Sequence, residues 1–244
     1  MMPDCCIFLR RFLPVGLLAL FLISASRSLA DKDAGGALAV VKRLGDNTRA
    51  IATMSYHHKH QTIFRSNVMV YERVMSRTSQ VMYERANQEI RVEFLSPYAK
   101  VRHFDEEASP PPTKDIFTGY SLWALNPEMQ VTGWQLSLGP TPSSGHVVVI
   151  GRLAPDRIPA SGYAPHWEAL VDQSRNRLIS VTHYADSGEI ERTVGFEAYE
   201  SFANGRVLLP LQVVGRDYAR LNRLEITDTF SDMQVQAGAS GGRR

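Results

Sequence analysis

Cysteine is almost missing from this 244-residue chain: Cys5 and Cys6 are its only two, and both precede an apolar run near the start. From Asp31 to Arg244 there is none. That excludes disulfides, thiol catalysis and thiolate-bound metal over this stretch. No cysteine follows Ala30, so a lipid anchor of the bacterial lipoprotein kind is not expected. Charge of one sign is lacking too. Lys and Arg total 27 against 25 Asp and Glu; without Arg10, Arg11, Arg27 and Asp4 the remainder is 24 against 24. A neutral body offers no basic face to phosphates, so nucleic acid is not an expected partner. Long apolar runs are absent as well. Phe12–Ile23 covers twelve residues, where a spanning helix needs about 20.

The motifs of common catalytic sites are also missing. Gly119-Tyr120-Ser121-Leu122-Trp123 lacks the second glycine of a nucleophile elbow. There is no His-Glu-x-x-His, no phosphate-binding loop and no dinucleotide fingerprint. The acids scatter along strand-like segments and read as solvated charges. The expectation is a protein that is not an enzyme, with no catalytic residue, no cofactor and no metal.

What is present begins with an address. Arg10-Arg11, the apolar run and the small residues Ser28 and Ala30 form a secretory signal peptide over residues 1–30, with cleavage expected after Ala30. Residues 31–236 are expected to form one domain, a length that buries roughly 70% of its unfolded surface. The tail, Ala237–Arg244, reads as disordered. Localisation is expected to be periplasmic.

One segment reads as helical. In Asp33–Asp46, Leu38, Val41 and Leu44 recur at three-residue steps beside Ala37 and Val40, with Asp33 as N-cap. Beyond it the apolar period becomes two. Ile63–Arg73 and Gln88–Leu95 read as strands, the latter with Ile90, Val92 and Phe94 on one face. Further strands are expected at Lys114–Phe117, Ser121–Leu125, Gln130–Leu138, His146–Arg152, His166–Asp172, Arg177–Tyr184, Ile190–Tyr199, Val207–Val214 and Asn222–Thr229. Asn126-Pro127, Gly139-Pro140, Ser143-Ser144-Gly145, Asp186-Ser187-Gly188 and Asn204-Gly205 mark turns between them. Short strands joined by tight turns argue a mainly β fold, an antiparallel meander curling toward a barrel. Asp105–Thr113 and Leu153–Pro165, rich in proline, interrupt the pattern.

Two clusters could carry chemistry. In His57-His58-Lys59-His60, His58 and His60 share one face of a strand, as two imidazole ligands require. A third donor is not adjacent and Lys59 adds repulsive charge, so a solvated strand start is the expectation. The second cluster is aromatic. Trp123 and Leu125 lie on one strand, Trp134, Leu136 and Leu138 on the next, with Phe94 on an earlier one. Such residues suit an ordinary core. Yet a curled sheet of about ten strands with one short helix has little to cover its concave face, which must be lidded or hold something.

Phe117–Leu136 (FTGYSLWALNPEMQVTGWQL) resembles the corresponding segment of the LolA-like family, periplasmic carriers of outer-membrane lipoproteins. Tyr83–Pro97 resembles the family's arginine-bearing turn and following strand, and Trp167–Phe196 its later hairpins. The resemblance implies an unclosed antiparallel β-barrel whose small helical lid covers an apolar cavity. It implies a cavity face bearing Val92, Phe94, Trp123, Leu125, Trp134 and Leu136, and a lid bearing Leu38, Val41 and Leu44. The family's turn arginine, which bonds the lid when closed, would be Arg85; taken alone, Arg85 is equally a solvated turn charge. The implied partners are lipid or lipoprotein acyl chains, an inner-membrane transporter and an outer-membrane acceptor, with the carrier a monomer. The same barrel occurs in lipid-responsive periplasmic sensors of anti-sigma control, the alternative function. The family's usual start to the first strand is replaced here by the histidine cluster.

Overall fold

The computed structural model describes residues 34–46, 48–66, 72–86, 89–96, 100–105, 131, 133–153, 165–218 and 222–238. Helix α1 comprises residues 34–46. Among the described residues eleven strands follow: β1 (Ile51–Ser66), β2 (Glu72–Glu84), β3 (Glu89–Ser96), β4 (Lys100–Asp105), β5 (Trp134–Leu138), β6 (His146–Leu153), β7 (His166–Asp172), β8 (Arg177–Tyr184), β9 (Ile190–Phe202), β10 (Val207–Asp217) and β11 (Asn222–Ala237). They make one sheet in the order β4-β3-β2-β1-β11-β10-β9-β8-β7-β6-β5. Every described pairing is antiparallel. Among the described residues strands β4 and β5 form its two edges, so the described sheet is an unclosed barrel.

Alternation of side chains builds one apolar face. Val147 and Val149 on β6, Trp167, Ala169 and Val171 on β7, Val181 on β8, Val194 and Phe196 on β9, and Val207, Leu209 and Val213 on β10 are all buried in one cluster. β-Branched residues dominate it, as suits a pleated surface packed on one side. Helix α1 adds Ala37, Val40 and Val41 to the same cluster. Their i, i+3, i+4 spacing makes a single stripe. A Cβ on Gly36 would stand 3.1 Å from the Leu138 side chain of β5. At the helix's other end, Arg43 offers its carbonyl to the Asn176 side chain beyond β7, at 2.5 Å. The helix therefore lies across the apolar face.

Several boundaries move from those expected. The strand expected at Ile63–Arg73 is two strands: β1 begins twelve residues earlier, at Ile51, and β2 begins at Glu72. The polar run His57–Gln61 hid the alternation, because imidazoles occupy inward positions where an apolar residue would signal a strand. Strand β11 continues past Thr229 to Ala237, pairing with Ile51. The helix stripe is also turned: Val41 is buried and Leu44 packs against the core, whereas Leu38 is 38% exposed. The hairpin turns fall where glycine marked them. Gly145, Gly188 and Gly205 have φ near +82° to +83°, and Ala203, Asn204 and Gly205 adopt positive φ in succession to join β9 to β10. The expected strands Lys114–Phe117 and Ser121–Leu125 lie outside the described residues. So do the expected signal peptide, most of the two proline-rich stretches and residues 239–244.

Candidate functional site

The apolar face under α1 is the first locus. Trp134 on β5 and Trp167 on β7 meet edge to face, with ring centroids 5.8 Å apart, an arrangement favoured by the ring quadrupoles. Gly151 on β6 makes this possible. It lies in register with both Leu136 and Trp167, and a Cβ there would fall 2.1 Å from the Trp167 ring. Trp134 and Leu136 are half-buried and pack against the core cluster. The structure thus brings Trp134, Leu136, Val41 and Leu44 to one cluster. Val92 and Phe94 lie on β3 in register with Val81 and Ser79 of β2. Trp123 and Leu125 lie outside the described residues. The sequence reading missed Trp167 as a member of this face: it was visible only as part of a hairpin, because glycine three places after Val148 does not announce a ring stacked over it.

Arg85 joins helix to sheet. Its Nε donates to the Ile51 carbonyl at 2.7 Å and its Nη2 to the Thr48 carbonyl at 2.9 Å. The backbone N–H of Arg85 also donates to Ala52 at 2.9 Å. Carbonyls at a helix end lack intrahelical donors, and the guanidinium fork, always charged, supplies them. Thr48 adds a bond from its hydroxyl to the Gly45 carbonyl, 3.0 Å. The β2–β3 turn is thereby fastened to the segment that links α1 with β1, so Arg85 is not a solvated charge.

The second locus is polar, and it is built into the buried side of the sheet. On β1, Met54, Tyr56, His58, His60 and Thr62 alternate inward while His57 and Lys59 are exposed. Strand β11 places Phe230 opposite His58 and Asp228 opposite His60. His58 stacks on Phe230 with centroids 5.0 Å apart and planes 12° from parallel. Its Nε2 donates to Asp228 Oδ1 at 2.5 Å, and His60 Nδ1 donates to the same oxygen at 2.8 Å. The far nitrogen of His60, Nε2, accepts from the Thr62 hydroxyl at 3.0 Å. Asp228 is fully buried. Burial pushes its carboxyl upward, but the hydrogen bonds and charges of His58 and His60 outweigh this and hold it below the usual carboxylate range. Its other oxygen, Oδ2, is buried with no partner among the described residues. Donor atoms of His58, His60 and Asp228 all lie within 4.8 Å of one another. The expectation that the acids are solvated is corrected here, and the third donor missing beside the histidines comes from 168 residues away.

Comparison with solved structures identifies the fold. The chain is similar to an outer membrane lipoprotein-sorting protein domain from Vibrio parahaemolyticus, at TM-score 0.55 and 11% identity over 87% of this chain and 95% of that one. It is similar to a DUF1329 family protein from Desulfovibrio piger, at TM-score 0.55 and 9% identity over 85% of this chain and 95% of that one. A LolA superfamily protein from Nitrosomonas europaea matches at TM-score 0.50 and 15% identity, covering 83% of this chain and 94% of that one. No protein-family model matches the chain, and no curated protein is similar to it in sequence.

Proposed function

We propose that this chain, whose fold is that of LolA-like proteins, is a periplasmic carrier for lipid or lipoprotein acyl chains. One observation carries the reading: the described strands form a single open sheet, and among the described residues its apolar face is covered by one short helix rather than by a second sheet. Burying acyl chains is worth roughly 0.8 kcal/mol per methylene, so three long chains in water cost about 35 kcal/mol. A concave apolar face lowers that barrier, and a helix that lifts away permits release. In this reading Val92, Phe94, Trp123, Leu125, Trp134 and Leu136 contact the chains. The helix bearing Leu38, Val41 and Leu44, latched by Arg85, covers the face when it is empty. The carrier acts as a monomer without chemistry of its own, taking cargo from an inner-membrane transporter and yielding it to an outer-membrane acceptor.

The test is mass spectrometry of solvent extracts from protein purified without detergent, together with binding of a fluorescent fatty acid. Co-purified lipid and saturable dye binding, weakened about tenfold in Trp134→Ala, are expected. Neither lipid nor dye binding would overturn the assignment.

A further inference from the structure

We infer that His58, His60 and Asp228 form a binding site for one divalent transition-metal ion, a function separate from acyl binding and independent of it. The donor set is right for such an ion. Two imidazoles and one carboxylate are borderline ligands that suit Zn²⁺ and its first-row neighbours, and they are too few and too nitrogen-rich for Ca²⁺ or Mg²⁺. The placement is right as well. Residues two apart on a strand share a face, and the β1–β11 register sets Asp228 directly across from His60.

The distances leave a small adjustment. Metal–donor bonds of about 2.0–2.2 Å put donor atoms about 3.3 Å apart around a tetrahedral ion. Here the carboxylate oxygen is 2.5 and 2.8 Å from the two imidazole nitrogens, and the set spans at most 4.8 Å. Opening the two short contacts by under an ångström, with the two imidazole nitrogens brought from at most 4.8 Å to the same spacing, admits the ion. His58 and His60 then bind through the nitrogens that now donate to Asp228, and each imidazole stays neutral by carrying its hydrogen on the other ring nitrogen. The other nitrogen of His60 gains the hydrogen and turns Thr62 from donor to acceptor, the outer contact that fixes a ligating imidazole.

The buried carboxylate supplies the second, independent observation. Asp228 Oδ2 is fully enclosed and without a partner among the described residues, although a buried carboxylate is costly unless paired or metal-bound. A cation offsets that charge directly. His58 and His60 remain 15% and 17% exposed, so the imidazoles are in reach of solvent. Phe230 beneath His58 keeps the ring from turning away.

Calorimetric titration of the untagged, chelator-treated chain with Zn²⁺ tests the site. One ion per chain is expected. His58→Phe keeps a ring over Phe230 but removes a donor, and should lower affinity at least about 100-fold, as should His60→Gln. Thr62→Val should cost about 10- to 100-fold. His57→Ala, on the outer face, should change nothing. Co²⁺ loading should give the visible absorption of a low-symmetry site, lost in His58→Phe. No saturable binding by the wild-type chain, or binding that His58→Phe leaves intact, overturns the inference.

Discussion

His183 shows how burial converts a single side chain into a pH dependence. It lies in register with Trp167 and Arg192 on neighbouring strands. Burial first, and then the Arg192 charge, push its pKa down from 6.5 to about 3. The folded imidazole is therefore neutral through a range in which the unfolded chain binds a proton. More protons in the unfolded state mean that stability rises with pH. The wild-type chain should lose stability as pH falls from about 6.5 toward 3, read as a falling urea midpoint. His183→Gln should reduce that slope, and an equal slope in the variant would remove His183 as its source. Gly151 makes a steric argument at the same scale. Alanine there would drive a Cβ into the Trp167 ring, and overpacking of this kind costs about 1–3 kcal/mol. A lower urea midpoint and a shifted tryptophan emission should report it. Neither residue was legible beforehand, since each depends on what a neighbouring strand presents.

Helix α1 is short, and two glycines, Gly35 and Gly36, weaken its first turn by about 1 kcal/mol each relative to alanine. Packing rather than propensity holds it, through Ala37, Val40 and Val41. Arg85 is its latch to the sheet. Arg85→Ala removes two charge-assisted bonds and leaves the Ile51 and Thr48 carbonyls without those donors, a loss of roughly 1.5–3 kcal/mol. Amide exchange at Val40 and Val41 should then accelerate while Val149 and Val181, in the sheet, keep their protection. Equal acceleration in both places would show global destabilisation instead. The helix's existence was plain from its periodicity, but its facing was not. Leu38 and Val41 look equivalent at three-residue steps, and only the sheet beneath decides that Ala37 and Val40 turn inward in place of Leu38.

Across the whole molecule, two meanders meet at one seam. Strands β1–β4 run outward to one edge and β5–β11 return from the other, and β1 with β11 join them. His57 and Asp232, hydrogen-bonded across that seam, are 175 residues apart in the chain. Such non-local pairing makes β-rich folds slow, on the scale of milliseconds to seconds. Deleting residues 222–238 removes β11 and unpairs the halves, so cooperative urea unfolding monitored by circular dichroism should disappear. A sharp transition in the truncated chain would show that one meander folds alone. The same seam creates the His58–His60–Asp228 cluster, which is why the histidines were visible in the sequence and their carboxylate partner was not.

The sequence by itself determined the neutral body, the lack of thiol chemistry, the helix, most strands after Trp134, and the glycine-marked turns between them. Each of these follows from local pattern: periodicity selects helix or strand, and positive φ selects glycine or asparagine. Tertiary structure alone decided that Trp167 packs on Trp134 above Gly151, that Arg85 fastens the helix, and that Asp228 is buried against two histidines. Those outcomes depend on register between strands far apart in the chain, and a side chain's chemistry is set by what register places opposite it.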